Sequence, residues 1–233
     1  MAEKIITNKI RMPLDILMTL LSVILMGGTM LFPDDRLHQI FGISLIVIWV
    51  VHVILNRRWY GALFKGQYKP YRIMQLIINC GVLICALFLM ISGLLMAWFI
   101  PSEWVGGALG FARTTHLLAS HWYYIFMALH IGLHGGMFAN QLKIHGLIPR
   151  IICILISLYG IYAFIIRGVW KYMFGLQQFF FLDFERGYLL FALDYISIIV
   201  LFATIIHYIR KVVVAMGAAA KQATAGKAEE ADR

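Results

Sequence analysis

Apolar residues along this chain fall in runs of about twenty, separated by short polar or basic stretches. At 1.5 Å per residue, such a run wound as a helix crosses a hydrocarbon core of about 30 Å. Six runs predict six helical spans, at Leu14–Phe32, Leu37–Leu55, Ile73–Ile100, Thr115–Ala139, Leu147–Ile166 and Tyr188–Tyr208. Pro13 suits the start of the first, and Pro33, Pro101 and Pro149 punctuate later ends or starts. The stretch 169–187 (VWKYMFGLQQFFFLDFERG) does not fit the pattern. It is aromatic and of mixed polarity, and reads as an aromatic-belt loop or an interfacial amphipathic segment, with the loop preferred.

Composition agrees with a membrane-lipid environment. The chain is 62% hydrophobic and 13% charged with mean hydropathy +0.83, and a soluble domain of 233 residues has too much surface to be built this way. The net charge of +9 does not indicate nucleic acid, because the basic residues sit at the ends of apolar runs rather than in a soluble patch. They report topology instead. The N-terminus, the 56–72 loop, the 140–150 loop and the C-terminal tail carry fifteen of the twenty Lys and Arg, against five (Arg36, Arg113, Arg167, Lys171, Arg186) on the opposite side. Both termini are therefore expected in the cytoplasm. The N-terminus lacks a compact apolar region followed by a small-residue cleavage site, so Leu14 onward reads as a retained span. The tail after Lys211, rich in Ala, Lys and Glu, is expected to be disordered or a frayed helix.

The histidines carry the chemistry. Intramembrane polar side chains are costly and mark function. His38 and His52 lie on the second predicted helix, and His116, His130 and His134 on the fourth. Both His38–His52 and His116–His130 are separated by 14 residues. Fourteen residues bring a helix back to within about 40° of one face and advance it about 21 Å. The two helices run in the same direction, so two facing pairs form at two depths: His38 with His116 near the outer side, His52 with His130 near the cytoplasm. Two bis-histidine haems require this arrangement. A lag of 78 residues links His38 to His116, His52 to His130 and Asn56 to His134, and a weaker match sets MGGTML beside ISGLLM, pairing Gly27-Gly28 with Ser92-Gly93. This suggests a repeated two-helix unit. His134, five full turns from His116, could replace His130 as ligand, but the repeat favours His130 because His134 aligns with an asparagine. His121 cannot share the face of His116 and His130 and reads as a packing residue. His145 reads as solvated and His207 as interfacial.

The three cysteines (Cys80, Cys85, Cys153) lie in apolar segments, and no CxxCH is present, so the haems would be non-covalent. Haem propionates need cations or donors at the membrane surfaces. Arg113 is placed for the outer haem, and Arg57 and Arg58 for the inner one, though the latter two serve topology equally well. Asp15 reads as an acid favouring a helix N-terminus. Asp194, inside the last span, reads as paired or part of a proton path.

The blocks HQIFGISLIVIWVVHVILNRRWY and FARTTHLLASHWYYIFMALHIGLHGGMF, with LMISG and YGIYAFIIRG, resemble the flavinylation-associated cytochrome family of prokaryotes. The resemblance covers most of residues 10–212. It implies a b-type dihaem cytochrome of the prokaryotic cytoplasmic membrane that relays electrons to flavinylated extracytoplasmic proteins. His38, His52, His116 and His130 would be its iron ligands, and His134 an additional motif histidine. The chain has no recognisable flavin-attachment motif, so the flavoprotein would be a separate partner, with quinol or a cytoplasmic donor upstream. The expected fold is an all-α integral membrane protein. A cytoplasmic N-terminus (1–13) leads into a four-helix dihaem bundle of two repeated units (14–145). Two further transmembrane helices (146–210) and the tail (211–233) follow. Two competing readings are a proton- or metal-handling transporter component that uses the histidines, and a cofactor-free membrane anchor. The first predicts polar residues spread along a pore, and the second leaves the paired spacing unexplained.

Overall fold

The computed structural model describes residues 2–141, 146–181 and 187–231, with side chains described for 10–135, 146–181 and 187–219. The described residues are helical, without strands. In chain order the helices are α1 (Ala2–Leu25), α2 (Asp35–Leu55), α3 (Arg57–Gly61), α4 (Pro70–Leu95), α5 (Ser102–Val105), α6 (Ala108–Gln141), α7 (Leu147–Ile166), α8 (Val169–Met173) and α9 (Gly187–Ala231), with a 3-10 turn at Thr29–Leu31. Among them α2, α4, α7 and α9 are long and apolar enough to cross a membrane. Helices α1 and α6, 24 and 34 residues long, carry more polar positions.

Local signals set several boundaries. Asp34 caps α2 by accepting from the Arg36 N–H at 2.8 Å, and Pro70 opens α4 at a position where its missing N–H costs nothing. Four expectations are corrected. Pro13 lies inside α1 rather than at its start, and the helix continues through it to Leu25. Helix α1 then ends before the predicted Phe32, because Gly28 turns the chain at φ +61°. Helix α4 ends at Leu95 rather than Ile100. The tail expected to be disordered or frayed continues α9 as helix to Ala231.

The core is not confined to the first four long helices. Its buried residues come mainly from α6 (Tyr124, Ala128), α7 (Ala163), α8 (Val169, Met173) and α9 (Phe191, Ile198), with Ala86 from α4 and Val23 from α1. Helices α7 and α9, expected as additions to a four-helix bundle, therefore build its centre. Glycines explain how closely they pack: a Cβ at Gly132 would stand 2.4 Å from the Ala203 carbonyl oxygen, and one at Gly160 2.4 Å from that of Ser197. Helix α2 is different. It packs chiefly along α1 and barely touches α6, and Leu45 is its buried residue. The α2 and α6 backbones stand apart with their histidines facing each other across the space between.

The stretch 169–187 is neither a plain loop nor a single amphipathic segment. Its described part folds back over the end of the bundle near Gly28. Helix α8 buries Val169, Tyr172 and Met173, Trp122 Nε1 donates to the Met173 carbonyl at 2.8 Å, and Phe180 lies against Gly28 and Tyr172. Phe174, Leu176, Phe179 and Phe181 face outward.

Candidate functional site: two facing histidine pairs

The fourteen-residue spacing places four imidazoles in two opposed pairs. The ring centres of His38 and His116 are 6.4 Å apart at an interplanar angle of 68°, and those of His52 and His130 are 6.4 Å apart at 75°. The lower members of each helix thus meet each other, as do the upper ones. Helices α2 and α6 are accordingly parallel and in register.

The groups that face the imidazoles come from α1 and the turn after it for the histidines of α2, and from α4 for those of α6. His52 Nδ1 lies 2.8 Å from Asp15 Oδ1 on α1. His130 Nδ1 lies 2.8 Å from Asn79 Oδ1 on α4. His116 Nδ1 is 3.2 Å from Ser92 Oγ, also on α4. The Gly28 carbonyl, just past the end of α1, faces His38, whose Nδ1 is buried without a well-formed hydrogen bond. Asp15 and Asn79 are 64 residues apart in sequence, as are Gly28 and Ser92. This corrects the match of Gly27-Gly28 to Ser92-Gly93 by one residue. Asp15 is also more than a helix-terminus acid, since it holds a histidine.

With Nδ1 of His52, His116 and His130 engaged, Nε2 is the nitrogen left for a metal, and second-shell partners of this kind fix tautomer and ring orientation. The separation suits one metal between each pair. A first-row metal takes an imidazole nitrogen at about 2.0 Å, and that nitrogen is about 1.1 Å from its ring centre, so two imidazoles on opposite sides of one metal would have centres about 6.2 Å apart. Close approach is built in: a Cβ at Gly93 would lie 3.2 Å from His116 Cε1. Among the described residues no three His, Cys, Asp or Glu gather as a bare metal ion needs.

The remaining predicted residues fall as follows. His134 stands 5.0 Å from the His130 ring. Asn56, which the repeat equates with it, approaches His52 Nε2 only at 3.4 Å. His121 is buried in packing, stacked on Tyr172 at 4.4 Å with its Nδ1 donating to the Leu117 carbonyl. His207 stands edge-on to Tyr208 at 5.6 Å, and His145 is outside the described residues. Arg113, Arg57 and Arg58 are all exposed at the helix ends that flank the pairs. Arg57 reaches the Ile54 carbonyl at 3.4 Å.

Asp194 is paired. It accepts from Arg167 Nε at 2.8 Å and from the Tyr159 hydroxyl at 2.5 Å, with the acid fully buried. This cluster ties α7 to α9, and Tyr124 adds α6 by donating to the Tyr195 carbonyl at 2.8 Å.

No protein-family model, curated protein or solved structure matches this chain.

Proposed function

We propose that this chain is a membrane cytochrome that carries electrons across the bilayer through two non-covalent haems b. His38 and His116 hold the outer haem, and His52 and His130 the inner. The observation that carries this reading is the pair of equal 6.4 Å imidazole separations, two helical pairs in register with Nδ1 turned away from the opposing ring. The matching positions of Asp15 with Asn79 and of Gly28 with Ser92 support a bundle built from a repeated two-helix unit, α1–α2 and α4–α6. When bound, each haem supplies one-electron chemistry. The chain's part is to orient the four imidazoles, hold them about 21 Å apart along the helices, and keep water from the path. Arg113 stands where the outer propionates would emerge, and Arg57 and Arg58 where the inner ones would.

With fifteen of twenty basic residues on one side, the termini face the cytoplasm of a prokaryote and the His38/His116 end faces out. The acceptor is an extracytoplasmic flavoprotein, the partner that the sequence resemblance implies. The outward-facing aromatic residues Phe174, Phe179 and Phe181 offer it an apolar landing. A quinol donor is supported by an apolar, lipid-facing groove between α4 and α9. Ile73, Ile77, Ile206 and Ile209 are among the residues lining it, with Ile78 and Leu129, the sequence neighbours of Asn79 and His130. The test is reconstitution. In proteoliposomes, quinol reduces the haems and a flavinylated protein outside accelerates their reoxidation. Failure of any added flavoprotein to do so, at every salt concentration, rejects the acceptor. Absence of quinol reduction rejects the donor.

A further inference from the structure

The four groups that face the Nδ1 atoms of the histidine pairs are not equivalent. Asn79 offers an amide oxygen, Ser92 a hydroxyl and Gly28 a carbonyl; Asp15 offers a carboxylate. Among the described residues no Lys or Arg stands within ion-pair distance of Asp15, and the neighbouring Arg11 is engaged elsewhere, donating to the Leu55 carbonyl at 2.6 Å. The one anionic acceptor therefore lies at one depth of the membrane only.

We infer that Asp15 makes the His52/His130 site the lower-potential of the two and so sets electron flow toward the His38/His116 end. This rests on the dihaem reading above. Two effects act in the same direction. A carboxylate accepting the Nδ1 proton raises the electron density at Nε2, which favours the more highly charged, oxidised metal. Its negative charge a few ångströms away favours the same state through space. Side-chain exposures of 35% for Asp15 and 23% for His52 let solvent screen part of this, so the bias is moderate. At the other site both facing groups are uncharged, so the first effect does not operate there, and Asp35 acts on His38 only through space. The transfer itself moves one electron from the His52/His130 site to the His38/His116 site, with no bond made or broken and no proton required. Asp15 is thus a positioning and tuning residue, acting through His52.

The inference also gives direction without using the charge count. The Asp15 end is the entry side, whichever compartment it faces. That it coincides with the basic-rich end makes the flow outward.

The test is a potentiometric titration of the purified protein followed by visible spectroscopy. His116→Ala protein, keeping only the inner haem, assigns the midpoints. In the intact protein the inner midpoint is the lower. Asp15→Asn keeps a hydrogen-bond acceptor and removes the charge. It is expected to shrink the redox equilibrium constant between the sites about tenfold, equivalent to 59 mV for one electron, by raising the inner midpoint alone. Ser92→Asp is the reciprocal variant and should lower the outer midpoint. An inner midpoint that is the higher in the intact protein, or Asp15→Asn protein with both haems and unmoved midpoints, overturns the inference. If Asp15→Asn fails to hold the inner haem, Ser92→Asp decides, and an unmoved outer midpoint there overturns it. A wild-type protein without haem fails the dihaem reading instead, and is seen before any titration begins.

Discussion

His130 Nδ1 and Asn79 Oδ1 stand 2.8 Å apart, a bond between neighbouring helices α4 and α6 that decides which edge of the imidazole faces His52. Removing such a partner leaves the ligand in place but frees its rotation, and typically costs 10–100-fold in metal affinity. Asn79→Leu should therefore weaken inner haem binding by about that factor while outer haem is retained. Haem content after graded detergent washing, compared with wild type, measures it. Equal retention of both haems would show that the Asn79 contact does not orient the ligand.

Each haem should depend on its own pair. His38→Ala or His116→Ala should remove the outer haem and keep the inner, and His52→Ala or His130→Ala should do the reverse. His134→Ala should keep both, because it is the His130 ring that stands 6.4 Å across from His52. His121→Ala should leave the spectrum unchanged. Low-temperature difference spectra resolve the two contributions. Loss of a haem in His134→Ala with both kept in His130→Ala would exchange these two assignments.

The Arg167–Asp194 pair is buried to 6% and 0% side-chain exposure. Breaking a buried pair by truncating one partner strands the other charge and costs about 3–5 kcal/mol. Asp194→Ala should therefore lower thermal stability sharply, since among the described residues Asp194 is the acid paired with Arg167. Its surviving folded fraction should still bind two haems, because the cluster does not touch the histidine pairs. Differential scanning fluorimetry in detergent, with haem counted per folded chain, separates the two effects. A proton-path role would instead leave stability near wild type and slow turnover.

Gly160 allows α7 to close on α9, with its Cα facing the Ser197 carbonyl. Gly160→Leu should separate these helices and reduce the yield of folded protein, whereas Gly42→Leu on α2, where a Cβ meets nothing within 4 Å, should be tolerated. Size-exclusion profiles of the two variants are the comparison. Equal profiles would mean that the α7–α9 crossing has slack.

The histidine pairs were legible because their signal is periodic. A spacing of 14 fixes face and depth on one helix, and a lag of 78 carries it to the next. Their partners were not, because Asp15 and Asn79 reach across to other helices and nothing local marks them. Only the common lag of 64 joining Asp15 to Asn79 and Gly28 to Ser92 could have exposed them, and a one-residue misalignment of the glycines hid it. Pro13 misled for another reason. Its φ suits a helix start, yet a long helix packed against a neighbour tolerates one missing N–H. The central place of α7 and α9 depends on close contacts at Gly132 and Gly160, which hydropathy does not register. Asp194 was legible as an acid needing a partner, but Arg167, 27 residues away across a turn, was not identifiable as that partner.

The central claim is that the two 6.4 Å pairs each hold a haem, and the direct measurement is haem stoichiometry with the reduced-minus-oxidised visible spectrum of the purified chain. The expected result is a red protein with two haems b per chain, both extracted by acidified acetone because no CxxCH is present to tether them. A colourless protein after expression with ample haem, or haem that remains attached to the chain after extraction, would contradict it.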